Sequence, residues 1–442
     1  MSLINNMFTP LEPTINRFLT RVAKRSFLLG MIVAINYPLL VVAADEGQTK
    51  ALTLSEAITK TLNHNPELQV FQYQLEAQQG RVVQSELSPK PEVSLMVEDA
   101  LGSGDLNGFD NAQTTLSVSW VLEQAIKEKR TAVAVLGQGL IESERKIKQL
   151  DSAAKTASYF LQTLAHQERA LIASRAINLA ETTVKETGRR VHAGKTPLAE
   201  LYRAEAELAK RKLVLEDLSH ELNTSLRQLA AQWGSTAPDF DSVTGSLTKH
   251  ADIISFAALK SLINNNPALA KYLSIERVKE AELKLAEEER NPKWRFNTGV
   301  RRYEGSGDYG VVAGISIPFG GRNRNQGRIA EVRAELSQHQ SEADALRIRI
   351  ETSLFSVYQQ LEHSKHLAQA MKAEIIPRLE KALVETRRVY NAGKYSYLEW
   401  KNVQNELLDA QSALLDASLA AQLNKIEIER LTGAQITTSF KE

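Results

Sequence analysis

The side chains best placed for chemistry in this sequence are histidines and carboxylates, because cysteine is absent. His363 and His366 stand three residues apart, a spacing that puts two imidazoles on one helical face and lets them share a metal. The only carboxylate close by, Glu362, points elsewhere on a helix, so the pair reads as solvated and neither a metal site nor a cofactor is expected. No glycine-rich phosphate loop follows a strand, and neither a Ser-His-Asp order nor a zincin pattern occurs. Gly320-Gly321 reads as a turn beside a strand end. The lack of cysteine also removes thiolate ligands, disulfides, a cysteine nucleophile and N-terminal lipid attachment through cysteine. An enzyme is the least supported class. What remains is a pair of basic turns, each ending in Ala-Gly-Lys, and a glutamate a few residues beyond each, Glu200 and Glu399.

The elements that carry these turns occur twice. Glu186-Thr-Gly-Arg-Arg-Val-His-Ala-Gly-Lys195 matches Glu385-Thr-Arg-Arg-Val-Tyr-Asn-Ala-Gly-Lys394 at an offset of 199 residues. Asn65-Pro66 and Asn266-Pro267, Pro91 and Pro292, and Trp233-Gly234 and Thr432-Gly433 keep nearly the same offset. Colinearity of this kind argues for a duplicated unit. The expected organisation is a signal peptide over 1–44, a first copy over 45–250 and a second over 251–442. Arg21, Lys24 and Arg25 precede an apolar run from Phe27 to Val42 and then Ala43-Ala44, which is the order of a secretory signal.

Each copy should open with capped helices, Thr53-Leu-Ser55-Glu56 in one and Ser255 in the other, broken at the Asn-Pro steps. Period-two segments follow. Val93, Leu95 and Val97 alternate with polar neighbours, as do Leu116, Val118 and Trp120, Trp294 and Phe296, and Val311, Ala313 and Ile315. They predict one strand hairpin per copy, about 91–122 and 293–318, with strands of about ten residues. Long helices come next, the first over about 124–190 and roughly 100 Å tall, turning near 194 and near 393. Leu201, Leu208, Leu215, Leu222 and Leu229, and in the other copy Trp400, Leu407, Leu414, Ala421 and Ile428, recur every seven residues and predict packing seams. The fold class is therefore mainly α with a small β part.

Four strands cannot close a barrel. A three-fold ring would give twelve and remove the open edges. The 54 Lys+Arg and 53 Asp+Glu nearly cancel, which disfavours nucleic acid as a partner.

On its motifs the sequence resembles the TolC outer-membrane efflux family. These are Leu54-Ser-Glu-Ala-Ile58 with Asn65-Pro66-Glu-Leu68, the Arg-Arg-Val-x-Ala-Gly-Lys turn ahead of Leu198 and the Arg-Arg-Val-x-x-Ala-Gly-Lys turn ahead of Leu398, and Glu374-Ile-Ile-Pro377-Arg-Leu-Glu-Lys-Ala-Leu383. The stretch Ile315 to Ala330 is similar to the heavy-metal branch of that family. The first copy departs at Ser117 to Arg130, where relatives usually carry a tight Gly-Gly turn. The resemblance implies a homotrimer with a periplasmic α-helical barrel continued by a twelve-stranded transmembrane β-barrel in outer-membrane lipid. It implies a passive conduit, with a periplasmic adaptor and an inner-membrane pump of resistance-nodulation-division type as partners, and divalent heavy-metal cations as cargo. Drug efflux and type I protein secretion use similar ducts. Carried onto this chain, the acidic constriction falls on Glu399, with Asn402 where a second carboxylate is usual; the first copy offers Glu200 and Arg203, which read as salt-bridging partners. Adaptor docking falls on Arg190, Gly194, Lys195, Arg388, Gly393 and Lys394, although the glycines also suit plain helix C-caps. A structural coiled-coil envelope protein and a periplasmic adaptor are the competing classes; the paired strand hairpins weigh against the first, and the duplicated unit weighs against the second, which would have one long helical hairpin with flanking β-domains.

Overall fold

The computed structural model describes residues 51–249, 254–320 and 324–436; the expected signal segment lies outside them. The elements are β1 (Ala51–Leu52), α1 (Leu54–His64), α2 (Pro66–Ser85), β2 (Glu92–Glu98), β3 (Gln113–Leu122), α3 (Gln124–His192), α4 (Leu198–Ala230), β4 (Ser242–Val243), α5 (Phe256–Leu262), α6 (Pro267–Glu288), β5 (Trp294–Tyr303), β6 (Tyr309–Ser316), α7 (Gln326–Ala370), α8 (Ile376–Asn391) and α9 (Tyr397–Thr432). Thr53 and Glu56 form a reciprocal capping box at α1. Asn65 is extended ahead of Pro66, ending α1, and its side chain then accepts from the Glu67 amide to start α2. Asn266 and Pro267 repeat the device before α6.

The four-stranded sheet runs β2-β3-β5-β6, antiparallel throughout, so the two hairpins join through β3 and β5. Register sorts its residues onto two faces. One face carries Val93, Leu95, Val97, Leu116, Val118, Trp120, Phe296, Val300, Val311 and Ile315. The other carries Ser94, Thr115, Ser117, Ser119, Asn297, Gly299 and Gly314, and its side chains on β3 are the less exposed, as the inside of a curved sheet should be. Gly299 is required there: a Cβ would lie 2.5 Å from the Leu116 carbonyl oxygen. β2 and β6 are shorter than expected, at seven and eight residues, and each leaves an edge unpaired among the described residues.

The departure at the first strand-to-helix junction proves compact. β3 passes into α3 through Glu123 alone, whose buried carboxylate accepts from Arg130 at 3.3 Å and from Lys293 at 3.0 Å. A charge pair from both halves of the chain replaces the glycine turn.

α3 is one continuous helix of 69 residues, roughly 100 Å long at 1.5 Å per residue. Its counterpart is not continuous. Met371–Ile375 form a π turn between α7 and α8, because Pro377 has no N–H to donate and its ring crowds the carbonyl four residues back. Both seven-residue seams face inward: Leu229, Trp400, Leu407, Ala421 and Ile428 are buried, and Leu201, Leu208, Leu215, Leu222 and Leu414 are partly so. Near the middle of the rods, β1 pairs in parallel with β4. The Gln167 amide extends that pair by accepting from the Val243 N–H at 2.7 Å and donating to its carbonyl at 3.0 Å. Phe160, Leu161, Leu229 and Phe240 fill the core beneath it. Among the described residues no helix is long and apolar enough to cross a membrane.

Candidate functional site

The two Ala-Gly-Lys turns end α3 and α8 in the same way. Gly194 and Gly393 adopt φ of +67° and +77°. Lys195 N–H returns to the Arg190 carbonyl at 2.9 Å, and Lys394 N–H to the Val389 carbonyl at 3.1 Å. These bonds satisfy carbonyls that a helix end would otherwise leave open.

The next helices start differently. Ser396 and Glu399 form a capping box at α9, with the Glu399 carboxylate accepting from the Ser396 N–H at 2.6 Å and from its hydroxyl at 2.8 Å. Those two bonds hold the exposed Glu399 carboxyl below the usual range. α4 instead begins after Pro197 with no side-chain cap. Glu200 takes a hydrogen bond from Thr196 at 3.2 Å rather than the ion pair with Arg203 that the sequence suggested. A hydroxyl four residues earlier lies within closer reach of the carboxylate than the guanidinium.

One arginine joins the tips. Arg190 donates from Nη1 to the carbonyls of Tyr390 (2.6 Å) and Asn391 (3.1 Å), and its guanidinium lies 4.6 Å from the Tyr390 ring centre. Tyr390 is fully buried, bonded to Thr187 at 3.1 Å and packed 4.9 Å from the fully buried Trp400. Arg387 pairs with Glu186 across the same contact. Arg388 pairs only with Glu385 of its own helix. Lys195, Lys394, Asn402 and Glu399 are exposed.

About two turns beyond, α4 and α9 are tied again. Glu207 lies between Arg211 and Lys401, each at 2.8 Å. Burial alone would raise its pKa, but Lys401 and Arg211 overcome that and hold it low. Burial, with the Glu207 carboxylate beside it, pushes the Tyr397 hydroxyl up to about 12. Gln404 donates to Thr183 at 3.0 Å. The arrangement offers hydrogen bonds and charge at a helical end. It assembles no nucleophile with a base. His363 and His366 lie elsewhere, exposed on α7.

The pattern of the family described as outer membrane efflux protein matches residues 57–235 and again 258–434. The chain belongs to that family. It is thus an outer-membrane efflux channel and not an enzyme. It is 25% identical over 423 residues to the cobalt-zinc-cadmium resistance protein CzcC of Cupriavidus metallidurans, covering 93% of this chain and 100% of that one. The nickel-cobalt-cadmium resistance protein NccC of Alcaligenes xylosoxydans is 25% identical over 258 residues, covering 56% of this chain and 58% of its own. Among solved structures, CusC, described as forming a transmembrane channel, superposes with a TM-score of 0.69 at 15% identity, over 86% of this chain and 92% of that one.

Of the channel's expected tip residues, the structure brings Arg190 and Gly393 together: a Cβ on Gly393 would lie 3.6 Å from Arg190 Nη2. The sequence marks Trp400 only as a seam position, and it marks no contact for Tyr390, Thr187, Glu186 or Glu207. The signal for Tyr390 and Trp400 was available, since both are aromatic where the first copy has Val191 and Leu201. Nothing local could have marked Glu207.

Proposed function

We propose that the channel is the outer component of a tripartite system exporting divalent heavy-metal cations. In this reading residues 1–44 are removed, 45–250 and 251–442 are two copies of one unit, and three chains close a twelve-stranded barrel in outer-membrane lipid above a periplasmic helical cylinder. The observation that carries it is the four-stranded sheet with one apolar face, one polar face and, among the described residues, two unpaired edges. Four strands are too few to close alone, and in a bilayer a sheet must close. The metal cargo rests on the likeness to CzcC and NccC, whose names specify cobalt, zinc, nickel and cadmium resistance.

Glu399 is the gate residue of this proposal, with Asn402 one turn on and Glu200 on the first tip. Three Glu399 carboxylates around an axis would favour cations. Exposed Lys195, Lys394 and Arg388 beside Gly194 and Gly393 are the surface offered to a periplasmic adaptor, and Arg190 supports it from behind by joining the tips. A passive duct has no energy source, so a resistance-nodulation-division pump in the inner membrane would supply it.

Expression with a cation-type pump and adaptor, in cells lacking their own outer component, should restore tolerance to cobalt, zinc and cadmium. Outer-membrane extracts should show a heat-modifiable trimer. A monomer in those extracts, or tolerance restored to a drug and not to metals, would overturn the proposal.

A further inference from the structure

The polar face of the sheet holds four charged side chains, divided between the halves of the chain: Glu92 and Glu98 on β2, Arg295 and Arg301 on β5. β3 separates those two strands, so neither acid is a neighbour-strand partner of its base. Each arginine reaches across. Arg295 Nη1 lies 2.8 Å from Glu92 Oε2, and Arg301 Nη2 lies 2.9 Å from Glu98 Oε2. Arg301 also donates to Thr115 and Gln113 of β3, both at 2.9 Å. Serine and threonine on that face of β3 leave room for the crossing, with Ser119 opposite Glu92 and Thr115 opposite Arg301.

We infer that Glu92 and Glu98 are specificity-determining residues of the duct, cancelling the arginines so that the barrel wall does not repel cationic cargo. The inference rests on the polar face being the lumen of the proposed barrel. Rings of arginine select anions and rings of carboxylate select cations. A guanidinium stays charged at every physiological pH, so only a fixed carboxylate can neutralise it. The outer loops strengthen the case: they add Asp99, Asp105, Asp110 and Asp308, and residues 99–112 and 304–308 contain no lysine or arginine. Among the described residues, Arg295 and Arg301 are the only cations that the strands present on the polar face. They also tie the hairpin of one half to that of the other, which gives a reason for them to be there.

The full-length trimer, reconstituted in planar bilayers under a potassium chloride gradient, tests this through its reversal potential. Glu92→Gln with Glu98→Gln should raise the chloride-to-potassium permeability ratio several-fold. Arg295→Gln with Arg301→Gln should lower it, and all four changes together should return it to the parent value. An unchanged ratio in both paired variants, each migrating as a heat-modifiable trimer, would overturn the inference. If the paired glutamate variant does not assemble, equal ratios for the paired arginine variant and the parent would overturn it instead. Failure of the parent itself to form a conducting trimer would count against the barrel reading, and loss of metal tolerance alone against the cargo.

Discussion

At Gly194 and Gly393 the backbone turns are bonded alike, yet the side chains around them diverge. The first tip has Val191, Leu198 and Leu201 where the second has Tyr390, Tyr397 and Trp400. In the second tip these aromatics are buried and form a small core of their own with Ala204 of the first. The first tip contributes the arm, Arg190, that closes over them. The rods differ as well, one unbroken over 69 residues and the other interrupted by a π turn. The difference teaches that the turn chemistry common to both copies sets where the tips are. The contacts that hold the tips together arise from positions where the copies have drifted apart.

The sharpest test removes the aromatic core. Trp400→Ala empties a fully buried site and should destabilise the tips by about 3–5 kcal/mol. The matching Leu201→Ala, at a partly exposed position, should cost well under half of that. Hydrogen exchange over 383–404 and over 184–205 measures both, and equal losses would break the comparison. The rods give a reciprocal pair. Asn178 lies 199 residues before Pro377, and Asn178→Pro should cost roughly 3 kcal/mol by removing a backbone bond inside α3. Pro377→Ala restores a donor and should slow amide exchange across Met371–Ile375.

These differences mark what could be read from the sequence. The strand hairpins were legible because alternation is local, and so were the Thr53 cap, the helix break at Asn65-Pro66 and the inward seams. Gly194 and Gly393 were legible because a left-handed residue after a helix is nearly always glycine. The π turn was less so: Pro377 was visible within a family motif, but how a helix accommodates a proline depends on what packs around it. Arg190 was assigned to docking together with its neighbours, since a basic residue beside a turn looks solvated. Its partners lie 200 residues away in sequence, and no periodicity records them. Glu123, Glu92 and Glu98 were hidden for the same reason.

A smaller effect separates the two arginines. Arg190→Ala loses two charge-assisted bonds to carbonyls and should weaken the joint between tips by on the order of 2 kcal/mol. With the proposed gate, small-ion conductance of the reconstituted channel should then rise several-fold. Arg388→Ala loses only an exposed pair within its own helix and should leave conductance unchanged. A rise in both variants would show that the tips respond to net positive charge rather than to the crossing contact.

The smallest effect concerns acid. The Glu399 pKa lies below the ordinary glutamate value of 4.5 because Ser396 donates two bonds to its carboxylate. A group whose folded pKa is depressed stabilises the fold above its unfolded value, and that contribution fades as pH falls through the folded one. The start of α9 should therefore keep its protection from pH 7 down to about 5 and lose it only in stronger acid. Glutamine also serves at this position of a capping box, so Glu399→Gln should keep much of the protection while abolishing its acid dependence. Glu200→Gln should leave exchange at the start of α4 as it is, because Glu200 accepts from the Thr196 side chain and not from a cap backbone. In the same variants, potassium preference should fall with Glu399→Gln and not with Glu200→Gln. If the two glutamates instead changed selectivity equally, the constriction would be shared between the tips, and the capping bonds would have no part in holding the charge in place.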